Sequence, residues 1–312
     1  MRRTVLLLLS SRRMMLALFP ALLAFTAAAL LAFAASLANS PAASAQMTTA
    51  DPDEPTFGLR CDFSHRNNDD PIVYPNQPKA AHSHDFFGNR TTNAASTYES
   101  LLTGTTTCTR PEDTASYWIP TVKWNGKNLK ASRGVFYYRA SGKDPASIET
   151  IPADLRVVPN THATWRCEGS DYTKEPPTRC SNGQLGVRVV FPDCLATNIP
   201  PSDAHPHGQD PKLDSTDHRS HTDYATRDAQ GNLGCHTSTH PYPIPALSVV
   251  LRFPIPTSTG TVTLSSGGAS TMHADFLNAW KQGELDRLVK HCINDFTTPE
   301  ARPRPEDCKA PV

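Results

Sequence analysis

Apolar and polar positions along this chain fall into short runs rather than long stripes. Tyr117-Trp118-Ile119-Pro120-Thr121-Val122, Val135-Phe136-Tyr137-Tyr138, Leu155-Arg156-Val157-Val158, Val187-Arg188-Val189-Val190-Phe191 and Leu247-Ser248-Val249-Val250-Leu251-Arg252-Phe253 are β-branched and aromatic, and Pro or Gly punctuates nearly all of them. Runs of this length and composition predict strands. Asn125-Gly126, between Trp124 and Lys127, predicts a tight hairpin turn. A helical period occurs once. Between Asp275 and Cys292, the residues Phe276, Leu277, Trp280, Leu285, Leu288, Val289 and Cys292 recur at three and four apart, which predicts one helix with a single buried stripe. Gly283 interrupts it, and Asp275 stands where an N-cap would. The proline-rich, polar stretch from Thr197 to Leu233 is expected to be a long loop. The expectation is a mainly β (α+β) fold: one loop-rich, sandwich-like domain with a C-terminal helix.

The first residues change the picture of where that domain begins. Arg2, Arg3, Arg12 and Arg13 precede a charge-free apolar run from Met14 to Leu37, and Ala43-Ser44-Ala45 follows. Basic, apolar, then small-x-small is the order of a secretory signal peptide, read here as residues 1–45. Ser11-Arg12-Arg13 also resembles a twin-arginine signal, and a run of this length is long enough for an uncleaved anchor. Residues 46–56 read as a flexible mature start and 57–312 as one domain without a second linker. Cleavage removes four arginines and no acid, so the formal charge goes from zero to −4. That is no electrostatic footprint for nucleic acid, and with the leader removed no membrane span is expected.

All eight cysteines lie after the leader. In an exported chain an even number reads as disulfides. Their order suggests neighbours: Cys61 with Cys108, Cys167 with Cys180, Cys194 with Cys235, and Cys292 with Cys308. No C-x-x-C occurs, so zinc held by sulfur is not expected.

The candidate chemistry lies in histidines. His82 and His84 flank Ser83 ahead of Asp85, and in a strand residues two apart share a face, so both rings can reach one metal ion or one substrate while Asp85 points away. His218 and His221 stand three apart and share a face if the segment makes a helical turn. His273 precedes Asp275, and His205 and His207 sit in a loop of the kind that is commonly solvated. The catalytic candidates are therefore His82, His84, His218, His221, His273, Asp85 and Asp275. As an alternative, His82, His84 and His218 would hold a divalent metal, the only cofactor these residues suggest. Each histidine also has a plain structural reading, a ring satisfied by local hydrogen bonds. Imidazole nitrogens within roughly 4 Å of one point would mark a metal site. A looser ring around a groove would mark acid–base chemistry, and scattered positions would mark structure. The chain lacks G-x-S-x-G, H-E-x-x-H, a P-loop and G-x-G-x-x-G, which removes the familiar hydrolase, zincin and nucleotide-binding readings.

Asp70-Pro71-Ile72-Val73, His82-Ser83-His84-Asp85-Phe86-Phe87-Gly88 and Ser116-Tyr117-Trp118-Ile119-Pro120 are followed in order by Trp165-Arg166-Cys167 and Phe191-Pro192-Asp193-Cys194. Asp217-His218-Arg219-Ser220-His221, His240-Pro241, Leu264-Ser265-Ser266-Gly267 and Met272 to Trp280 complete the series. From Phe57 to Cys292 the chain resembles the family catalogued as domain of unknown function nineteen-ninety-six. His236, and Leu195-Ala196-Thr197, depart from the expected proline and Trp-Asp-Gly. The resemblance implies a secreted protein of fungi or actinobacteria in a polysaccharide-rich setting, and supplies no activity. The expectation is an extracellular carbohydrate-active enzyme, a hydrolase or lyase, whose partner is a polysaccharide or the cell wall. The alternative is a metal-binding or wall-binding protein without turnover.

Overall fold

Each of the five runs forms a strand in the computed structural model, which describes residues 54–159, 163–196, 213–296 and 306–308. The expected leader, most of the mature start and the loop histidines His205 and His207 lie outside the described residues. One five-stranded sheet has the order Thr56–Arg60, Arg133–Arg139, Ala246–Pro254, Gln184–Val190, Ala163–Cys167, every pair antiparallel. A second has the order Phe63–Asn67, His84–Gly88, Ser116–Pro120, Asp275–Leu277, Arg156–Val157, also antiparallel. A smaller sheet carries the predicted hairpin from Val122–Trp124 to Lys127–Asn128, with Asn125 and Gly126 at φ 49° and 77°, the double positive φ that makes Asn-Gly the favoured pair there.

The two large sheets pack face to face. Phe57, Phe136, Tyr138, Val187 and Leu251 from the first, and Phe87, Tyr117, Ile119 and Phe276 from the second, share one core. Tyr117 and Phe136 meet across it with ring centroids 4.3 Å apart. This is a β-sandwich, as the period-two runs predict. The second sheet is buried on its outer face too. There Phe86, Trp118 and Leu277 form a separate cluster with Ile72, Tyr98, Leu101 and Val158, under the loop that follows Asn67 and a short helix, α1, Tyr98–Leu102, capped by Thr97. A polar group on that face is therefore cut off from water.

The C-terminal helix differs from expectation at its start. Asp275–Leu277 is a strand between two neighbours, and the helix, α2, begins at Gln282 and ends at Val289, followed by a π-helical turn at Lys290–Asn294. Phe276 faces the main core and Leu277 the outer cluster. That alternation is strand-like, and only the later part of the apolar stripe, Leu285, Leu288, Val289 and Cys292, is the buried face of a helix. Asp275 is thus no N-cap, and Gly283 falls in the first turn instead of splitting the helix. All four neighbouring disulfides form, the complement of a chain that folds in an oxidising compartment. No helix among the described residues is long and apolar enough to cross a membrane.

The sandwich core encloses a polar chain that runs from Asp113 to Trp280. Tyr117 Oη donates to Asp113 Oδ2 at 2.9 Å, the Tyr117 and Tyr138 hydroxyls are 2.6 Å apart, and Trp280 Nε1 donates to Tyr138 Oη at 3.1 Å. Burial pushes the fully enclosed Asp113 carboxyl up to about 8.

Gly88 ends the strand that carries His84, with φ +76°, and an added Cβ would stand 2.5 Å from the Ala115 carbonyl oxygen. Gly88→Ala combines backbone strain with this clash and is expected to cost about 2 kcal/mol, lowering Tm by several degrees. Thermal unfolding followed by circular dichroism measures it; an unchanged Tm would remove the close approach from the account.

Candidate functional site

His84 is the first residue of its strand and pairs with Asn67 on one side and Pro120 on the other. Its side chain is completely buried on the outer face. Nδ1 lies 3.0 Å from the Asp69 carbonyl oxygen. A carbonyl only accepts, so Nδ1 carries the proton and Nε2 presents a lone pair. Burial and the neighbouring His82 pull the His84 imidazole down to about 3, so the ring is neutral. His82 follows the same extended course, because Ser83 between the two rings is fixed by Thr121: the Thr121 amide donates to the Ser83 carbonyl at 2.9 Å and the two hydroxyls are 2.9 Å apart. The ring centroids of His82 and His84 are 4.2 Å apart.

The third ring arrives from the far end of the chain. Gly267-Gly268 and a 3-10 turn at Ala269–Thr271 reverse the backbone, and His273 lands 5.3 Å from His82 and 6.1 Å from His84, centroid to centroid. Its Nδ1 donates to the Thr271 carbonyl at 2.9 Å, which again leaves Nε2 as the lone-pair nitrogen. One nitrogen from each of His82, His84 and His273 lies within 4.8 Å of the other two. Three points so spaced lie within about 2.8 Å of a common centre, against Zn–N bonds of about 2.0–2.1 Å. These three rings meet the condition stated for a metal site, nitrogens within roughly 4 Å of one point.

Two carboxylates share the site. Asp275, paired through its backbone with Trp118, is 1% exposed, and neither of its side-chain oxygens has a hydrogen-bond partner. Burial, reinforced by Asp70, holds its carboxyl well above the usual range. His82 Nε2 and His84 Nε2 are also buried without a partner. Asp70 is 4% exposed, and its Oδ1 accepts from the amides of Ile72 at 3.0 Å and Val73 at 2.9 Å. Burial raises its pKa, against the pull of those two amides. Oxygens of Asp70 and Asp275 and a nitrogen of His84 lie within 4.8 Å of one another. A buried carboxylate with no donor costs several kcal/mol unless it stays protonated or meets a cation. The three imidazoles beside it, each lowered in pKa first by burial, would supply the rest of a coordination shell for such a cation.

The other candidates stand elsewhere. His218, at φ 58°, donates from Nδ1 to Asp214 Oδ1 at 2.7 Å and is close enough to Asp70 to act on its charge. It borders the site, and His273 holds the third position that spacing gave to His218. His221 is fully used: Nδ1 accepts from the Ser215 amide at 3.2 Å and lies 2.9 Å from its hydroxyl, and Nε2 donates to the Arg156 carbonyl at 2.7 Å. It pins the loop to the sheet edge and does not reach the cluster. Asp85 faces away, as the strand period requires, into a pair with Arg66 at 2.5 Å and a hydrogen bond from Thr121 at 2.8 Å. Trp118, Tyr138 and Trp165, large rings of the kind that stack on sugars, are core here.

Sequence reasoning passed over Asp70 and Asp214. The run Asn67-Asn68-Asp69-Asp70-Pro71 signals a turn, and a side chain that caps such a turn is rarely suspected of chemistry. Arg219 also lies near enough to act on the charge of Asp275 and His273, while its Nε donates to the Val158 carbonyl at 2.9 Å.

No curated protein and no solved structure matches the chain. The model of the family described as "Domain of unknown function (DUF1996)" matches residues 70–280, from the site's first carboxylate to the tryptophan that closes the core network, and the chain belongs to that family.

Proposed function

We propose that this chain is an exported, metal-dependent enzyme that cleaves a polysaccharide, with His82, His84, His273 and Asp275 holding one divalent first-row transition ion. The observation that carries the reading is Asp275, a buried carboxylate with no donor on either oxygen, set against two imidazole Nε2 atoms that equally lack partners. Zinc is the ion whose chemistry suffices: when bound it polarises a substrate oxygen and generates hydroxide near neutral pH. The chain's own residues do the remainder. Asp69 and Thr271 carbonyls fix the tautomers of His84 and His273, so both offer Nε2. Asp70, with its raised pKa, is placed to take or give a proton, and Asp214 orients His218 on the same border.

The substrate class has one support in the geometry. Among the described residues the exposed large hydrophobics are Val73 and Tyr74, on the loop that Asp70 opens. A half-exposed phenol ring beside a buried polar site suits the apolar face of a sugar. Export is supported by the disulfides and by the basic, apolar, cleavable order of residues 1–45.

The test is elemental analysis of protein purified without a histidine tag, followed by a polysaccharide panel scored for reducing ends and unsaturated uronates. One metal per chain, turnover lost on chelation and restored by zinc, is the expected result. A folded chain with neither metal nor turnover sinks the reading. The depth of His84 and Asp275 favours one second reading, a closed metal site that only stabilises the fold. Stoichiometric metal with no cleavage of any glycan would select it.

A further inference from the structure

The outward face of the first sheet is tiled with arginine. Residues that alternate with core-facing Phe136, Leu251, Val187 and Trp165 point away from the sandwich. Arg133 pairs with Arg252, Arg252 with Gly186, and Gly186 with Arg166, so three guanidinium stems lie in one row across four strands. Gly186 makes this row possible: a Cβ there would meet Arg166 Cγ at 3.3 Å, and its absence lets that stem lie flat. The next row holds Arg60 at one edge and Arg188 toward the other. Tyr172 is sandwiched between Arg166 and Arg188, whose guanidinium carbons stand 4.5 and 4.1 Å from its ring centroid, and Arg139 stands 4.5 Å over Tyr137.

We propose that this face is a docking surface for a carboxylated polysaccharide, a polyuronate chain, separate from the histidine site. It goes beyond the reading of that site, and either can stand without the other, because the histidines occupy the outer face of the opposite sheet. Three properties support the occupant. The cations of these rows are all arginine, whose planar fork binds carboxylates bidentately, and stacking on tyrosine fixes the fork. One carboxylate, Glu168, is shared by Arg252 at 2.7 Å and Arg166 at 3.6 Å, so two guanidiniums draw on a single internal anion. Arg133 and Arg252 stand on adjacent strands about 4.8 Å apart and Arg166 two strands beyond Arg252, so the row spans several rings of a polymer with one carboxylate per sugar. A phosphodiester chain is the other polyanion that a guanidinium fork accepts; the four disulfides fit a chain that works in an oxidising compartment, where a uronate polymer is the one to meet, and duplex DNA is the competing ligand in the test.

The experiment is affinity electrophoresis of the mature, disulfide-intact chain through gels containing polygalacturonate, alginate or neutral β-glucan, at about 20 mM and about 500 mM salt. Retention by the polyuronates and not by the glucan, reduced at high salt, is expected. Arg166→Gln with Arg252→Gln should weaken it by about tenfold or more, the usual worth of a charged hydrogen bond. Arg60→Glu, on an exposed edge residue, should weaken it severalfold with Tm unchanged, which keeps the test valid should the double variant fold poorly. Wild-type protein stripped of metal by a chelator should be retained as before, so failure of the metal reading leaves this one standing. Equal retention by neutral glucan, insensitivity to both sets of substitutions, or preference for duplex DNA over polyuronate would overturn it.

Discussion

His84→Ala is expected to abolish stoichiometric metal binding, weakening zinc by more than about 100-fold, since loss of a partner that merely orients a ligand already costs about 10–100-fold. The side chain belongs to both donor groupings of the site, with His82 and His273 and with Asp70 and Asp275. It is also completely buried, so water does not readily take its place. The readout is isothermal titration with zinc after chelator dialysis, paired with thermal unfolding. Zinc at about 100 times its Kd should stabilise the wild type by about 2.7 kcal/mol and leave His84→Ala unmoved. His221→Ala supplies the contrast. Its ring makes three hydrogen-bond contacts, two with Ser215 and one with the Arg156 carbonyl, so its loss should cost about 2–3 kcal/mol of stability while zinc binds as before. Equal zinc affinity in the wild type and His84→Ala would end the metal reading.

These two histidines mark the boundary of what the sequence makes legible. His82 and His84 stand two apart on a strand, and the strand period alone puts both rings on one face and Asp85 on the other. The sandwich was legible for the same reason, in runs such as Leu247 to Phe253. His221 was not, because what satisfies it is the Arg156 carbonyl, 65 residues away in sequence, and no local pattern encodes that. Asp275 was misplaced onto a helix because its strand is three residues long and buried on both faces, which removes the polar half of the alternation. Phe276 and Leu277 then join the apolar stripe of α2 and read as its first turn. Asp70 was hidden by its turn. Its chemistry appears only when the chain returns, more than two hundred residues later, with His273 and Asp275.

Asp113→Asn is expected to stabilise the protein increasingly as pH rises from about 4 to about 8. Buried in the sandwich core against Tyr117, Asp113 has its carboxyl raised to about 8 from an ordinary 3.8. Between those values the folded protein keeps a proton that the unfolded chain has released, so this group makes stability fall with increasing pH. Below about 4 the carboxyl is protonated in both states and contributes no slope. Above about 8 it is ionised in both, and the accumulated penalty reaches at most about 5–6 kcal/mol, at 1.36 kcal/mol per pH unit. Asparagine keeps an acceptor for the Ala115 amide, which donates to Asp113 Oδ1 at 3.1 Å, and carries no charge. The buried histidines, His84 foremost, have the opposite sign: their lowered pKa values make stability fall as pH drops below 6.5. The total curve therefore mixes both trends, and the difference between variant and parent isolates Asp113. Urea unfolding of chelated protein at about pH 4, 6 and 8 should show Asp113→Asn gaining a few kcal/mol over the parent across that range; parallel curves would show that the core network holds an ionised carboxylate without penalty. Asp275 has the same sign when no metal is bound, its carboxyl held high by burial, but a bound cation must displace that proton. Zinc-loaded protein should therefore lose the Asp275 part of the slope while keeping the Asp113 part, which separates the two buried carboxylates by a single addition.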